Sequence, residues 1–215
     1  MKNIADINTY FLSSKTAIII ADGPSINKSK QKIRELYQKK KPIVIAANRT
    51  IKKVDTDYLV FIDIEIFQKY MTDIVSNQKI ILGPLINNYN HLPNKKFSII
   101  FNDKKKNIKK IEVKKGKILH RIFNCGIACI FVAYFLKMEE IYLFGFDGPS
   151  ITDKEGYLWH FDGTITNRSE HKCIRMKSFH ELVFKFIKKN GIELYADTNC
   201  PLWGIDKKLL KIKDC

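Results

Sequence analysis

The sequence predicts an α/β protein: a Rossmann-like parallel sheet with helices on both faces and a lid-like insertion. Three observations predict it. Apolar, β-branched runs such as Ala17-Ile18-Ile19-Ile20-Ala21 stop abruptly at turns, as strands buried in a parallel sheet do. Helical stretches alternate with those runs, as parallel crossovers require. An Asp or Asn stands just past the end of five runs: Asp22, Asn48, Asp63, Asp147 and Asp197.

Residues 1–15 read as a lead-in segment with a short helix around Ile4 to Leu12. The first strand, 17–21, runs into the turn Asp22-Gly23-Pro24-Ser25. Gly23 lets a backbone come close to a ligand, and free N–H groups in such a turn favour phosphate. The turn is neither the dinucleotide G-x-G-x-x-G nor a P-loop. A helix follows over 28–40, with Ile33 and Leu36 on its apolar face. Strands are expected at 43–47, ending at Asn48, and at 57–62, ending at Asp63 with a helix after it. Further strands fall at 79–82, closed by Gly83-Pro84, and at 97–101.

Residues 102–119 are lysine-rich and read as an exposed insertion with a hairpin around Lys115-Gly116. The most apolar helix covers 126–137, and the strand 141–144 ends at Gly145-Phe146-Asp147-Gly148. Residues 148–170 form a long polar segment, read as a structureless connection, and such a segment in a compact domain is usually a functional lid or a mobile loop. A helix over 171–190 and a strand over 192–195 complete the chain. Neither an internal repeat nor a linker divides it, so 1–215 is expected as one domain with a mobile lid at about 148–170.

At 45% hydrophobic the chain has enough apolar surface for a substantial core. The longest apolar run, Cys125 to Leu136, is too short for a membrane span, and the N-terminus lacks the layout of a secretion signal. Five cysteines without CxxC spacing, an odd count, argue against a disulfide framework and for a reducing cytoplasm. The net charge of +16 has two readings. One is a basic surface that touches an anionic membrane, here its inner face. The other is the lysine abundance of an AT-rich coding sequence. No helix-turn-helix, zinc knuckle or aromatic RNA-binding strand accompanies the charge, so nucleic acid is not an expected partner. A homo-oligomer is compatible with the sequence.

In a parallel sheet the five strand-end residues crowd one rim, because all carboxyl ends point one way. Asp and Asn also terminate strands simply as turn and cap residues. The rim reading predicts a ligand cleft.

The pieces Ile18-Ile19-Ile20-Ala21-Asp22-Gly23-Pro24-Ser25, Ala46-Ala47-Asn48, Tyr58-Leu59-Val60-Phe61-Ile62-Asp63, Asn124-Cys125-Gly126 and Ile141-Tyr142-Leu143-Phe144-Gly145-Phe146-Asp147 follow a known order. That order resembles the bacterial sialyltransferases of glycosyltransferase family 42, which extend lipooligosaccharide. It is equally similar to the domain shared by motility-associated flagellin glycosyltransferases and archaeal 6-hydroxymethyl-dihydropterin diphosphokinases. The resemblance runs from about residue 17 to residue 200.

The sialyltransferase branch implies a CMP-sugar donor, held by Asp22, Gly23, Pro24, Ser25 and Asn48 at phosphate and ribose and by Asn124, Cys125 and Gly126 at the base. Asp22 replaces that branch's Asn, and a carboxylate beside a phosphate repels it unless a cation or proton intervenes. Asp63 reads as in the pterin-kinase and flagellin branch. The tyrosine pair expected after Asp147 is missing, with Tyr157 a stand-in for one member. The resemblance implies a catalytic His at one of two places. His171 fits the base that opens the last large helix, and His160 fits a Gly-x-x-His lid pattern. A His pKa suits a general base. His180 reads as structural, and His91 and His120 lack supporting context.

No obligatory cofactor is expected. Mg²⁺ has one candidate site, Asp63 with Glu65, which share a face if the strand continues through Asp-Ile-Glu. Two enzymatic functions follow. One is an inverting transfer of sialic or a related nonulosonic acid from a CMP-sugar to a surface-glycan acceptor. The other is Mg²⁺-dependent pyrophosphoryl transfer from ATP, with Asp22, Asp63 and Asp147 on the metal side. A non-catalytic nucleotide-binding protein is the third reading.

Overall fold

Odd-numbered residues of the first long strand pack to one side of a sheet and even-numbered ones to the other. Ala17, Ile19 and Ala21 join a core with the apolar helices that follow, while Ile18 and Ile20 join a second core on the opposite face. A strand buried on both faces needs no polar alternation. The computed structural model describes residues 2–7, 9, 12–48, 50, 55–74, 79–86, 96–101, 110–120, 122, 124–148, 150–152, 155–159, 165–197 and 211–212, with the backbone alone at 85, 96, 150–152, 155–159, 165–172 and 211–212.

In chain order the elements are β1 (Lys2–Asn3), β2 (Thr16–Ile20), α1 (Lys30–Lys40), β3 (Ile43–Ala47), β4 (Tyr58–Phe61), α2 (Ile64–Tyr70), β5 (Lys79–Leu82), β6 (Lys96–Ser98), β7 (Ile100–Phe101), β8 (Val113–Lys114) and β9 (Lys117–Ile118). They continue with α3 (Cys125–Phe135), β10 (Glu140–Phe144), β11 (Ser150–Thr152), β12 (Glu155–Trp159), β13 (Ile165–Ser169), α4 (Glu170–Lys189), β14 (Glu193–Ala196) and β15 (Lys211–Ile212).

Nine strands form one sheet in the order β1-β6-β5-β4-β3-β2-β10-β14-β15, and every neighbouring pair is parallel. The predicted Rossmann-like α/β architecture is therefore present. One face carries α3 and α4, with Ile127, Phe131, Phe179 and Val183 in the core. The other carries α1 through Ile33 and Leu36, and α2 through Phe67 and Tyr70. Ten of the eleven α3 residues are buried, Tyr134 being the exception, which is how a helix apolar on all sides sits between sheet and neighbours.

Strand order runs from β2 through β3, β4, β5 and β6 in one direction, and from β10 through β14 in the other. The switch point therefore lies between β2 and β10, where α/β sheets open a crevice outside the strands' carboxyl ends.

Several sequence expectations need correction. The lead-in is not a helix over Ile4 to Leu12. Its described part is β1, parallel to β6, followed by a 3-10 turn over Ile4–Asp6 capped by the Asn3 side chain. The expected strand 97–101 breaks at Ile99, so β6 stays in the main sheet while β7 pairs with β9 in a small second sheet. The hairpin at Lys115-Gly116 is present as β8 and β9, and Asn3 Nδ2 donates to the Gly116 carbonyl at 3.1 Å.

The segment 148–170 is not structureless: β11, β12 and β13 form an antiparallel meander that leads directly into α4. Its strands are short, and their longest apolar run, Tyr157-Leu158-Trp159, is too brief to announce a strand. The described helices include none long and apolar enough to cross a membrane.

Candidate functional site

Ala21 and Gly145 end the two strands that flank the switch point. Ala21 N donates to Phe144 O at 2.9 Å, and Gly23 N donates to Gly145 O at 3.0 Å. Ser25 N donates to Asp147 Oδ2 at 2.7 Å. The turn after β2 is thus stitched to the loop after β10. A Cβ on Gly23 would lie 2.4 Å from Asp147 Oδ2 and 2.5 Å from Gly145 O. Gly23 has φ −73°, which any residue adopts, so glycine is required there for space alone. Its close neighbour is the β10 loop.

The expectation of free N–H groups fails at Gly23, Pro24 and Ser25 of this turn. Pro24 has no N–H, Gly23 N and Ser25 N already donate to protein oxygens, and Ile26 N bonds back to Gly23 O at 3.3 Å. Asp147 Oδ2 thus accepts from Ser25 N, an amide of the turn that the sequence reading offered to a phosphate. Burial pushes the Asp147 carboxyl up, the Ser25 hydrogen bonding opposes that, and Asp197 and Asp22 push it further up. Its Oδ1 is buried without a hydrogen-bond partner.

The N-terminus of α3 forms the next wall. Asn124 is its N-cap: the side-chain Oδ1 accepts from Ile127 N at 2.8 Å, leaving the Cys125 and Gly126 amides without an intrahelical acceptor. A Cβ on Gly126 would meet the Phe146 ring at 3.1 Å and Ala21 Cβ at 3.3 Å, so the helix end presses on both strands of the switch point. Cys125 Sγ donates to Val60 O at 2.9 Å, over the β4 residue paired with Ala47 of β3. Burial first, then Cys129, Asp63 and Asp22, raise the Cys125 thiol pKa well above its ordinary value. A buried thiol of that kind packs and does not attack.

The predicted rim is assembled in part by these contacts. Asp22 acts electrostatically on both Cys125 and Asp147, and Asp63 acts on Cys125. Asn48 directly follows β3 in a left-handed conformation (φ 50°), and its Oδ1 is buried without a partner. Asp63 is exposed at the N-cap position of α2, and Glu65 lies in that helix's first turn. The strand ends at Phe61, so the Asp-Ile-Glu strand reading of an Asp63–Glu65 metal pair is corrected. No group of three metal-ligating side chains occurs among the described residues.

Of the remaining candidates, Pro24 is exposed at the first position of its 3-10 turn. Tyr157 lies on β12, opposite Ser150 and Asn167. His171 is the second residue of α4. His160 lies outside the described residues.

Two sets of contacts went unread in the sequence. Asp197, buried after β14, accepts from the buried Ser29 hydroxyl and pairs with Lys32 Nζ at 3.0 Å. Ser29 Oγ also reaches Ser25 O at 3.0 Å, so this network braces the turn from behind. The second is His180, buried in α4, whose Nε2 lies 2.6 Å from Asn124 Nδ2. Asn124 Oδ1 is committed to Ile127, so Nδ2 faces the ring and donates. The imidazole must accept at Nε2, and burial lowers its pKa to about 4. The signal was a His on an otherwise apolar helix face, with Cys173, Met176, Val183 and Ile187 also buried.

A groove of about 510 Å³ lined by Val113, Tyr134, Lys137, Glu139 and Ile192 opens where β10 and β14 begin, at the opposite edge of the sheet.

A parallel sheet with a switch-point crevice, two facing turns and a capped helix end defines a Rossmann-like α/β protein with its candidate site at the carboxyl rim. Among protein families, the model of the 6-hydroxymethylpterin diphosphokinase MptE-like family matches residues 1–150. The chain belongs to that family, a family of transferase type. The match spans both turns of the switch point and stops short of His160, His171, His180 and Asp197. No curated protein matches the chain.

Proposed function

We propose that the chain is a Mg²⁺-dependent transferase of the diphosphokinase type, moving a diphosphoryl group from ATP to the hydroxymethyl group of a pterin-like acceptor. The family match carries this reading, in company with carboxylates Asp22, Asp63 and Asp147 at the strand ends. Carboxylates beside phosphates are repulsive without a cation. Mg²⁺ is commonly bound by one or two carboxylates plus substrate phosphates and water, which fits a rim with separated acids.

Asp63, which is exposed, and Asp22, which is half-buried, would hold the ion. Bound there, it would neutralise charge on the transferred phosphates. The acceptor oxygen bonds to the β-phosphorus as the bond from that phosphorus to the oxygen bridging to the α-phosphate breaks. AMP leaves, and the hydroxyl proton passes to water. The α3 N-terminus supplies a positive dipole end to the anionic substrate. Asp147, fixed by Ser25 N, holds the two switch-point turns together while the substrate binds.

A second reading is an inverting glycosyltransferase that uses a CMP-activated nonulosonic acid and a surface-glycan acceptor. His171 in the first turn of α4 and Asn124-Cys125-Gly126 at the start of α3 favour it, since that resemblance puts base and cytidine pocket there. In this reading His171 or His160 takes the acceptor proton. A cytoplasmic enzyme whose basic exterior rests on the inner membrane face suits it. A nucleotide-binding protein without turnover is the third.

Thermal-shift measurement with CMP, CDP, ATP and GTP, each with and without Mg²⁺, separates the readings, because a ligand that binds only the folded chain raises its apparent stability. Stabilisation by ATP only with Mg²⁺ supports the diphosphokinase. Metal-independent stabilisation by CMP moves the assignment to the glycosyltransferase. Silence toward all four removes both.

A further inference from the structure

His180 belongs to a helix that follows the β11–β13 meander, yet its ring nitrogen touches the cap of a different helix at the rim. Asn124 is asked to do two things with one amide. Its oxygen caps α3 through Ile127 N, and its nitrogen meets His180 Nε2 at 2.6 Å. If the amide turned over, the cap would lose its acceptor. The imidazole lone pair is the group that holds the amide in its capping orientation. His180 itself has little freedom: it is buried, and its ring packs edge-on against the buried Phe184 at 6.4 Å between centroids.

We propose that His180 is a positioning residue: as a neutral imidazole accepting from Asn124 it fixes the N-terminus of α3, and so aims the Cys125 and Gly126 amides at the switch-point crevice. The amides' use by a nucleotide rests on the functional reading above; the fixing of the helix end does not. His180 makes no contact with the reacting groups in this role. It acts through Asn124 and links α4 to the site. A protonated imidazole offers no lone pair at Nε2, so only the tautomer with its proton on Nδ1 serves.

The test uses the full chain and three variants. His180→Phe fills the space without an acceptor, His180→Gln restores an acceptor, and Phe184→Leu loosens the same packing without touching Asn124. Amide hydrogen exchange at Ile127, the amide held by the Asn124 side chain, is expected to quicken at least tenfold in His180→Phe, and to stay within threefold of the native chain in His180→Gln. Phe184→Leu should change that amide only as much as the rest of α3. Exchange in His180→Phe that matches Phe184→Leu would overturn the proposal.

The ¹⁵N spectrum of the native chain gives an answer independent of variant folding. A protonated Nδ1 and bare Nε2 are expected, and the reverse tautomer sinks the idea. Affinity for ATP with Mg²⁺, or for CMP, should weaken at least tenfold in His180→Phe and recover in His180→Gln; unchanged affinity in His180→Phe would overturn the positioning role. A native chain that binds neither nucleotide refutes the functional reading alone, while exchange and tautomer still decide the role of His180.

Discussion

Replacing Gly23 by alanine tests what the glycine is for. The backbone at Gly23 suits any residue, so Gly→Ala should gain about 0.4–1 kcal/mol from a less flexible unfolded chain if space were free. Space is not free: the new Cβ would sit 2.4 Å from Asp147 Oδ2 and 2.5 Å from Gly145 O. Relief requires the turn to retreat from β10. That breaks Gly23 N to Gly145 O, worth about 1 kcal/mol, and the charge-assisted Ser25 N to Asp147 bond, worth about 1.5–3 kcal/mol. The net loss expected is about 2–3 kcal/mol, or a urea midpoint lowered by about 1 M at the m-values usual for small proteins. Combining Gly23→Ala with Asp147→Ala removes one of the two clashes, so the pair should cost at least about 1 kcal/mol less than the sum of the singles. Urea melts of the four proteins supply the cycle. A Gly23→Ala chain as stable as the native one, but blind to nucleotide, would refute the clamp and return the glycine to ligand approach.

The other predictions concern groups behind the turn and the cap. His180 is held near 4 by burial against an ordinary 6.5, so the unfolded chain takes up the proton first as pH falls. Its contribution is whole above the unfolded pKa and drains between 6.5 and about 4, with about 2 kcal/mol gone by pH 5. Native and His180→Phe chains, melted in urea at neutral pH and near pH 5, should differ in pH dependence by that amount; parallel profiles would contradict a buried neutral ring. Asn124→Asp keeps a good N-cap but sets a carboxylate against Nε2, so the His180 pKa should rise above its native value in an NMR titration. An unchanged titration would show that the contact is not formed. Asp197→Ala removes the carboxylate that the partly buried Lys32 and the buried Ser29 share, and should cost about 3 kcal/mol in urea melts, while Asp197→Leu with Lys32→Met regains most of it. Equal losses for the single and the double would argue against the buried pair.

How much could be read in advance depended on the kind of residue doing the work. Strands β2, β3, β5 and β10 carry continuous apolar runs, and helices α1 and α3 are bounded by a turn and a cap, so each was legible within two residues. β1, β7 and β15 have two residues each, too few to show any period. β11 to β13 set only Ile151, Tyr157-Leu158-Trp159 and Ile165 among polar residues and Gly156, and only pairing between them reveals the meander. At the site, Asp22, Asp63 and Asp147 were legible as strand ends. What Asp147 does was not, because its partner Ser25 lies 122 positions away. Asn124 read correctly as the start of a helix, and His180 read as core. Each reading holds by itself, and the contact between them, across 56 positions, belongs to the packing of α4 on α3.

The clamp changes where an anion meets this protein. A turn with spare amides after β2 would gather phosphate by itself, and nearby acids would only hinder it. Here Asp147 and Gly145 take up those amides, so the turn offers a ligand no free backbone donor from Gly23 or Ser25. The amides left open by helix geometry are those of Cys125 and Gly126, on the other wall of the crevice. The chain as a whole carries a net charge of +16, yet Asp63, Asp22, Asp147 and Asp197 follow β4, β2, β10 and β14, with Asn48 after the intervening β3. A basic exterior draws polyanions inward over a distance of about one Debye length, roughly 8 Å in physiological salt. An acidic rim then repels any that arrive without a counter-cation. On the proposed diphosphokinase reading, the two together would favour an anion already paired with a divalent ion, the form of a magnesium-bound nucleoside triphosphate, over a bare nucleoside monophosphate.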